Sequence, residues 1–165
     1  MSSASPPRDV PTTFLADAML GRLARWLRVV GADTIQLSTD APDTALVARA
    51  RADGRVLLTR DRHLLRELRP HRELAILSHV PLVQLGEVVR AFALARPAEL
   101  MTRCLLDNTP LVEMTPAEVV AQVPPRAREV DGPMRRCATC GRAYWRGSHV
   151  RRMEAALETA LPDWR

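Results

Sequence analysis

Short apolar runs alternate with longer amphipathic stretches from Thr12 to about Ala95, and this alternation constrains the fold more than any other feature of the sequence. When strands and helices follow one another in this way, the strands form a parallel sheet and the helices pack on its faces. The sequence therefore predicts an α/β layered domain over residues 12–97, with a central, mostly parallel sheet flanked by helices.

The predicted elements of this domain can be placed from their periodicity and from the residues that end them. Strands are expected at 13–16, 34–37, 56–59 and 74–77, and helices at 19–30, 44–52 and 82–94, with a short helix around Leu64 and Leu65. Gly31 and Gly54 follow the first and second helices, where a left-handed residue commonly ends a helix.

The character of the chain changes after Pro97: cysteines appear, prolines cluster and apolar runs shorten. We therefore place a domain boundary there and assign residues 98–165 to a small second domain. Thr115 and Glu118 have the spacing of a capping box, which predicts a short helix to about Gln122, and an amphipathic helix is expected at 148–161. Residues 1–11 are small, polar and proline-containing, which predicts a disordered leader.

All 24 basic residues are arginines, and with 19 acidic residues they give a net charge of +5. A basic surface attracts phosphate-bearing polymers, and the planar guanidinium group suits phosphate and base contacts better than an ammonium group does. A GC-rich genome would also explain the lack of lysine. The sequence contains no P-loop, no Gly-x-Gly-x-x-Gly motif and no His-Glu-x-x-His motif, which argues against nucleotide-loop, dinucleotide-binding and zinc-protease functions.

The start of the sequence lacks the basic and apolar stretches of a secretory signal, and no apolar run has the length that crosses a membrane. The three cysteines cannot all pair with one another. We therefore expect a cytoplasmic protein without a membrane partner, in which the cysteines bind metal or pack in a core.

Aspartates follow the predicted strands, at the edge where parallel α/β sheets bind their ligands. Asp17 follows the first strand, Asp61 follows the third with only Arg60 between, and Asp40 and Asp43 lie between the second strand and its helix. Clustered carboxylates suit Mg²⁺ or Mn²⁺, and these ions support phosphodiester hydrolysis by activating water. The simpler interpretation of each aspartate is a helix cap.

A pair of cysteines in the second domain has the spacing of a zinc knuckle and is followed by Gly141. An upstream cysteine and an aspartate repeat that spacing, and His149 is an alternative to the aspartate. The predicted ligands of a structural Zn²⁺ are therefore Cys104, Asp107, Cys137 and Cys140. A metal would stabilise a segment with little apolar periodicity. The alternatives are three thiols packed in a core, or a zinc site lost during evolution.

Six arginines and no acidic residue surround the knuckle between residues 134 and 152, together with the adjacent Tyr144 and Trp145. Arginines interleaved with aromatic residues are typical of proteins that recognise single-stranded RNA or DNA. The alternative is a solvated basic face with Trp145 packed inward.

Several motifs, in this order, resemble the Mut-seven C-terminal RNase domain family. They are the run 14–28, the run 57–61, Cys104, the pair Cys137 and Cys140, and the run Tyr144-Trp145-x-Gly147-Ser148-His149. The resemblance covers about residues 12–155. It implies a PIN-like nuclease domain joined to a zinc ribbon, that is, a metal-dependent endoribonuclease that cuts RNA with Mg²⁺ or Mn²⁺ in an acidic pocket.

The resemblance also implies roles for individual residues. Asp17, Asp43 and Asp61 take the catalytic, metal-binding positions, and Asp40 is a further candidate ligand. Two features depart from the family: Asp107 stands where the ribbon usually has a cysteine, and no fourth acid follows the third strand. The candidate RNA contacts are Arg22, Arg25, Arg28, Arg60, Arg142, Tyr144, Trp145, Arg146 and His149.

Two other functions are consistent with the sequence. In one, the protein is a non-catalytic RNA-binding or ribosome-associated module with a vestigial acidic pocket, and it would bind RNA without cleaving it. In the other, it is a toxin-like nuclease controlled by a protein partner such as an antitoxin. Growth arrest that a neighbouring gene's product relieves would distinguish the toxin from the other two.

Overall fold

A four-stranded parallel sheet forms the centre of the molecule in a computed structural model that describes residues 12–165. Its strands are β1 (Phe14–Ala16), β2 (Thr34–Ile35), β3 (Val56–Thr59) and β4 (Glu73–Ala75), in the spatial order β2-β1-β3-β4. Each neighbouring pair is parallel, and Ala16 pairs with Leu58. The predicted α/β fold is confirmed, whereas the leader predicted at 1–11 lies outside the described residues.

Helices cover both faces of this sheet: α1 (Gly21–Val29), α2 (Asp43–Ala52), α3 (Arg62–Leu68) and α4 (Pro81–Phe92). Successive side chains of a strand point to opposite faces. Phe14 and Leu58 therefore pack in one cluster with α1 and α4, whereas Leu15 and Leu57 pack in another with α2 and α3.

Several predicted elements differ in detail from the structure; the fourth strand, for example, is Glu73–Ala75 rather than 74–77. The first helix is preceded by a 3-10 turn, Ala18–Leu20, because the Leu20 amide donates to the Asp17 carbonyl at 2.8 Å. The second strand ends at Ile35 rather than at residue 37, as is common for an edge strand. The left-handed caps are confirmed, with φ of 80° at Gly31 and 65° at Gly54.

The second part of the chain is a small antiparallel ribbon followed by a helix. Strands β5 (Leu111–Glu113), β6 (Arg135–Cys137) and β7 (Ala143–Tyr144) pair in the order β5-β6-β7. Helix α5 (Pro116–Gln122) begins with the predicted capping box of Thr115 and Glu118, and α6 (Ser148–Ala160) packs against α4.

One hydrophobic core runs through both parts of the chain. Met101 and Cys104, near the ribbon, and Val150 and Leu157, on α6, belong to the same cluster of buried residues as Leu85 on α4. The predicted boundary at Pro97 therefore marks a change in sequence character, while the core continues across it. Within residues 12–165, no helix combines the length and the apolar character needed to cross a membrane.

Candidate functional site

The carboxyl ends of β1 and β3 bring Asp17 and Asp61 to the same side chain, the hydroxyl of Thr59. This hydroxyl donates to Oδ2 of Asp17 at 2.6 Å and accepts from the backbone N–H of Asp61 at 3.0 Å. Thr59 is fully buried and Asp17 is only 8% exposed. The two aspartates that follow neighbouring strands are therefore linked through one buried threonine.

Asp17 is not held in place by a helix-capping bond. It stands at the N-cap position of the 3-10 turn, but its side chain accepts no bond from that turn. Among the described residues, the carboxylate has Thr59 as its hydrogen-bond partner, and the Asp17 amide is fixed to the Leu58 carbonyl at 2.9 Å. The capping interpretation is therefore wrong for the carboxylate of Asp17.

Asp61, in contrast, is a helix cap. Its Oδ1 accepts from the backbone N–H groups of Leu64 at 3.0 Å and His63 at 2.7 Å, which are free at the start of α3. These bonds from Leu64 and His63 favour the charged carboxylate and lower the pKa of Asp61 below its usual value. The side chain thus stays ionised at neutral pH, with Oδ2 outside the capping bonds.

Asp40 and Asp43 are exposed, and neither has a capping bond to α2, which begins at Asp43. Within residues 12–165, a single group of three or more His, Cys, Asp or Glu side chains has ligand atoms within 4.8 Å of one another, and it contains none of the predicted catalytic aspartates. The structure therefore links Asp17 to Asp61, but Asp40 and Asp43 do not form such a group of ligand atoms with them.

An arginine-lined cleft of about 470 Å³ opens near the same edge of the sheet, at the start of α1. Its lining includes Arg60, which directly precedes Asp61, and Met19, two residues after Asp17, but neither aspartate itself. Arg22, Arg25 and Arg60 line it, as does His79, whose Nε2 lies 2.6 Å from an Arg60 nitrogen. His79 is not among the residues predicted from the sequence. Gln36 was also missed, and it donates to the Asp17 carbonyl at 3.2 Å.

Arg28 does not lie on the exposed face of α1 with Arg22 and Arg25, and its predicted role as a phosphate contact is wrong. It is only 4% exposed. Its guanidinium donates to the carbonyls of Leu105 at 2.8 Å, Leu106 at 3.0 Å and Thr34 at 2.8 Å. The reason is the helical period of 3.6 residues: each step of three residues turns the side chain by about 60°, so Arg28 lies about 120° around the helix from Arg22 and reaches the interior.

Two further candidate RNA contacts already have hydrogen-bond partners within the protein. Tyr144 is 8% exposed, and its hydroxyl accepts from the Leu105 amide at 3.1 Å and lies 3.2 Å from Sγ of Cys104. Its ring is therefore a buried support of the ribbon rather than a stacking surface, which corrects the prediction. Arg146 makes a two-point ion pair with Glu154, with nitrogen to oxygen distances of 2.9 Å. The Arg146 guanidinium therefore already has a carboxylate partner.

The predicted zinc ligands do converge. The ligand atoms of Cys104, Asp107, Cys137 and Cys140 all lie within 4.8 Å of one another. Sγ of Cys104 is 3.7 Å from Sγ of Cys140, and Sγ of Cys137 is 3.3 Å from Oδ2 of Asp107. Three sulfur atoms and one carboxylate oxygen are a donor set that Zn²⁺ accepts, so the residues present fit this metal. His149 is exposed and is not part of the cluster.

The two halves of the cluster share one backbone design. In the first, the Asn108 amide donates to the Cys104 carbonyl at 3.0 Å, and Asn108 has a φ of 69°. In the second, the Gly141 amide donates to the Cys137 carbonyl at 2.9 Å, and Gly141 has a φ of 73°. The same turn thus places Asp107 and Cys140 at equivalent positions, which supports a ligand role for the aspartate.

The electrostatics of the metal-free cluster favour the charged form of Asp107 and Cys137 but not that of Cys140. Burial alone would raise the pKa of Asp107, but hydrogen bonds from Thr109, Cys104 and Cys137 outweigh it and hold that pKa well below the usual range. Burial likewise opposes ionisation of Cys137, while hydrogen bonds from the Cys140 and Thr139 amides lower its pKa overall. A backbone bond from Arg142 lowers the pKa of Cys140, but burial and the side chains of Cys137 and Cys104 outweigh it and raise that pKa to about 11.

The turn that carries Cys104 and Asp107 is fixed to the sheet through Asn108, which was not among the residues predicted from the sequence. Asn108 is 7% exposed; its Nδ2 donates to Oδ1 of Asp33 at 2.8 Å, and its Oδ1 accepts from the Thr34 amide at 2.9 Å. Asp33 also pairs with Arg55 at 2.6 Å. Burial opposes ionisation of Asp33, but the bonds from Arg55 and Asn108 are stronger and lower its pKa.

Together these features define an α/β protein with a basic cleft near the carboxyl edge of its sheet. Its ribbon carries a cluster of three cysteines and one aspartate that could hold a metal ion. The sequence model of one family, described as the Mut7-C RNAse domain, matches residues 12–157. The chain therefore belongs to this family, as its motifs indicated, and the family indicates a nuclease-like function with RNA as the substrate class. No curated protein and no solved structure matches the chain.

Proposed function

We propose that the protein is a metal-dependent endoribonuclease whose reaction takes place at the carboxyl ends of β1 and β3. The observation that carries this proposal is the buried carboxylate of Asp17, which caps no helix and accepts a bond from Thr59. A buried charged group is costly unless it has a partner or a ligand. With the nuclease-like function of the family, this position favours a catalytic role.

Asp17 and Asp61 are the residues that would hold Mg²⁺ or Mn²⁺. They follow neighbouring strands, Thr59 bonds the carboxylate of Asp17 and the backbone amide of Asp61, and each carboxylate has an oxygen outside the bonds described above. Mg²⁺ in proteins is commonly bound by one or two carboxylates together with substrate phosphates. Such an ion would polarise the phosphate and lower the pKa of water. Asp43 and Asp40, on the segment that leads into α2, would contribute by approaching when RNA binds.

The protein's own groups supply substrate binding. Arg22, Arg25 and Arg60 line the cleft beside the aspartates, and within residues 12–165 none of them makes an ion pair with a carboxylate. Guanidinium groups bind phosphates with paired hydrogen bonds, so these three would hold the backbone of the RNA strand. A structural Zn²⁺ on Cys104, Asp107, Cys137 and Cys140 would keep the ribbon in its place.

Cleavage of labelled RNA tests the proposal. Purified protein should cleave structured or single-stranded RNA when Mn²⁺ or Mg²⁺ is present, and omission of both ions should stop the reaction. The Asp17→Asn variant keeps the size of the side chain and its hydrogen bond to Thr59 but removes the charge, so it should be folded and inactive. Equal cleavage by the variant and the wild type would refute the role of Asp17.

Arg96→Ala is a matched control for the arginines of the cleft. Arg96 is exposed and pairs with Glu158 at 3.4 Å, away from the residues that line the cleft. Its loss changes the net charge by the same amount as Arg22→Ala, but only Arg22→Ala should raise KM for RNA. Binding without any metal-dependent cleavage would instead favour a non-catalytic RNA-binding module.

A further inference from the structure

A second groove, of about 610 Å³, lies between α1, the ribbon and the start of α6. It is lined by basic and aromatic side chains, which include Arg22, Arg25, Arg142, His149, Trp26 and Trp145. Among residues 12–165, no acidic residue lines it. Arg22 and Arg25 also line the cleft beside the aspartates, so the two depressions meet at this pair of arginines.

The arginines of this groove differ from those on the other side of Trp145. There, a cavity of about 370 Å³ is bordered by Arg96, Arg135 and Arg146. Each of these three is paired with a glutamate: Glu158, Glu99 and Glu154, respectively. Within residues 12–165, by contrast, Arg22, Arg25 and Arg142 form no ion pair. The groove thus concentrates positive charge that has no carboxylate partner among the described residues.

The aromatic side chains of the groove are partly exposed. Trp26 on α1 and Trp145 after β7 are both half-buried, so each leaves some of its indole surface at the groove. The Trp145 ring also lies over Gly147: a Cβ on this glycine would be 2.9 Å from Nε1 of the indole. The absence of a side chain at Gly147 therefore leaves the space that the Trp145 ring occupies.

We propose that this groove binds a single-stranded segment of the RNA substrate and leads it to the cleft beside Asp17. Unpaired arginines hold the phosphates, and Trp26 and Trp145 provide surfaces on which bases stack. Bases in a duplex are already stacked on one another and cannot contact such rings, so the groove selects unpaired RNA. The proposal rests on the proposed nuclease function and adds to it a substrate class and a binding path.

Fluorescence anisotropy with a short unstructured RNA tests the groove without cleavage. The full-length protein is used without a chelator, so that a ribbon metal is retained, and without added Mg²⁺ or Mn²⁺. The single strand should bind more tightly than the same RNA annealed to its complement. Arg142→Ala should weaken binding and reduce the salt dependence by about one unit of log–log slope, whereas Arg96→Ala should leave both unchanged.

Three variants at Trp145 and Gly147 separate stacking from folding. Trp145→Ala should weaken binding by about tenfold or more, because a stacked base is lost, and Trp145→Phe should restore much of it. Gly147 has a φ of −78°, which alanine also adopts, so Gly147→Ala displaces the ring while the backbone is kept. This variant should weaken single-strand binding while its thermal unfolding remains close to that of the wild type.

The results distinguish this proposal from the nuclease function. Tight binding that depends on Arg142 and Trp145 in a protein that never cleaves RNA would refute the nuclease and support the groove. Cleavage that is indifferent to Arg142→Ala and Trp145→Ala would refute the groove and leave the nuclease intact. Equal affinity for duplex and single strand, or preferential binding of a poly-glutamate peptide, would also overturn the proposal.

Discussion

The hydroxyl of Thr59 lies 2.6 Å from Oδ2 of Asp17 and donates a hydrogen bond to it, although the two residues are separated by 42 positions in the sequence. The same oxygen accepts the Asp61 amide. One threonine thus satisfies a buried carboxylate and a partly buried N–H group at the two strand ends where we propose that the reaction takes place. Thr59 was predicted only as the last residue of a strand.

Replacement of Thr59 should therefore affect both the fold and the reaction. Thr59→Val keeps the shape but leaves the Asp17 carboxylate and the Asp61 amide without their partner, which should cost about 1–3 kcal/mol of unfolding free energy. The misplaced carboxylate should slow RNA cleavage by about 100-fold. Denaturant unfolding and single-turnover cleavage measure the two effects. Thr59→Ser keeps the hydroxyl and should stay close to the wild type; a Val variant that cleaves as fast as Ser would contradict the role of the hydroxyl.

Asp61 has a structural role that must be separated from its proposed catalytic one. Asparagine is as good an N-cap as aspartate, whereas alanine costs about 1 kcal/mol. Asp61→Asn should therefore keep the unfolding free energy of the wild type and lose metal-dependent cleavage, while Asp61→Ala should lose both. Normal cleavage by Asp61→Asn would show that this residue serves only as the cap of α3.

The acid stability of the protein should depend on Asp33. Its pKa is lowered in the folded protein, so its bonds to Arg55 and Asn108 contribute fully above the unfolded value of about 3.9. The contribution is lost as the pH falls below that value through the folded pKa, because protonation removes the charge. The difference in unfolding free energy between wild type and Asp33→Asn should be constant near neutral pH and shrink in this acidic range.

Asp53→Asn is the control for the acid series. Asp53 directly follows α2 and is exposed; it pairs with Arg49 at 2.6 Å and also, at 3.5 Å, with Arg55, the partner of Asp33, and solvent screens both interactions. Its substitution should change the stability much less at every pH. A difference for Asp33→Asn that is as small as that for Asp53→Asn, or that grows on acidification, would refute the prediction.

The ribbon should contain one Zn²⁺ per chain, and Asp107 should set how firmly it is held. Thiolate is a softer ligand than carboxylate and suits Zn²⁺ well. Asp107→Cys should therefore retain zinc at higher chelator concentrations than the wild type, and Asp107→Ala should lose it at lower ones. Elemental analysis and competition with a chromophoric chelator measure this order. Equal retention by all three proteins would remove Asp107 from the ligand set.

The parts of the fold that depend on local pattern could be predicted from the sequence. The apolar alternation gave the parallel sheet, and the spacing of Thr115 and Glu118 gave the capping box that the structure contains. Cys137 and Cys140 gave the knuckle, because ligand spacing within one turn is a local property. The individual strands, the capping box and the knuckle turn each depend on residues that are close together in the sequence.

The features that the sequence could not provide depend on contacts between distant segments. Arg28 and Arg22 have similar sequence surroundings, but only the packing of the ribbon against α1 shows that Arg28 is buried against Leu105 and Leu106. Tyr144 follows the same logic, since its contact with Cys104 spans 40 positions. Whether Asp43 approaches Asp17 during the reaction stays a prediction, because it concerns a state with RNA and metal bound.

The core shared by Leu85, Met101 and Leu157 has a consequence for engineering. A ribbon transplanted from another member of the family by a junction at Pro97 would bring only six of the twenty buried side chains that fill this interior. The exchange would succeed only if the facing surfaces of α1 and α4 travel with it. Recombination between relatives should therefore favour junctions in the surface loops outside this interior, and the sheet and ribbon should be inherited as a pair.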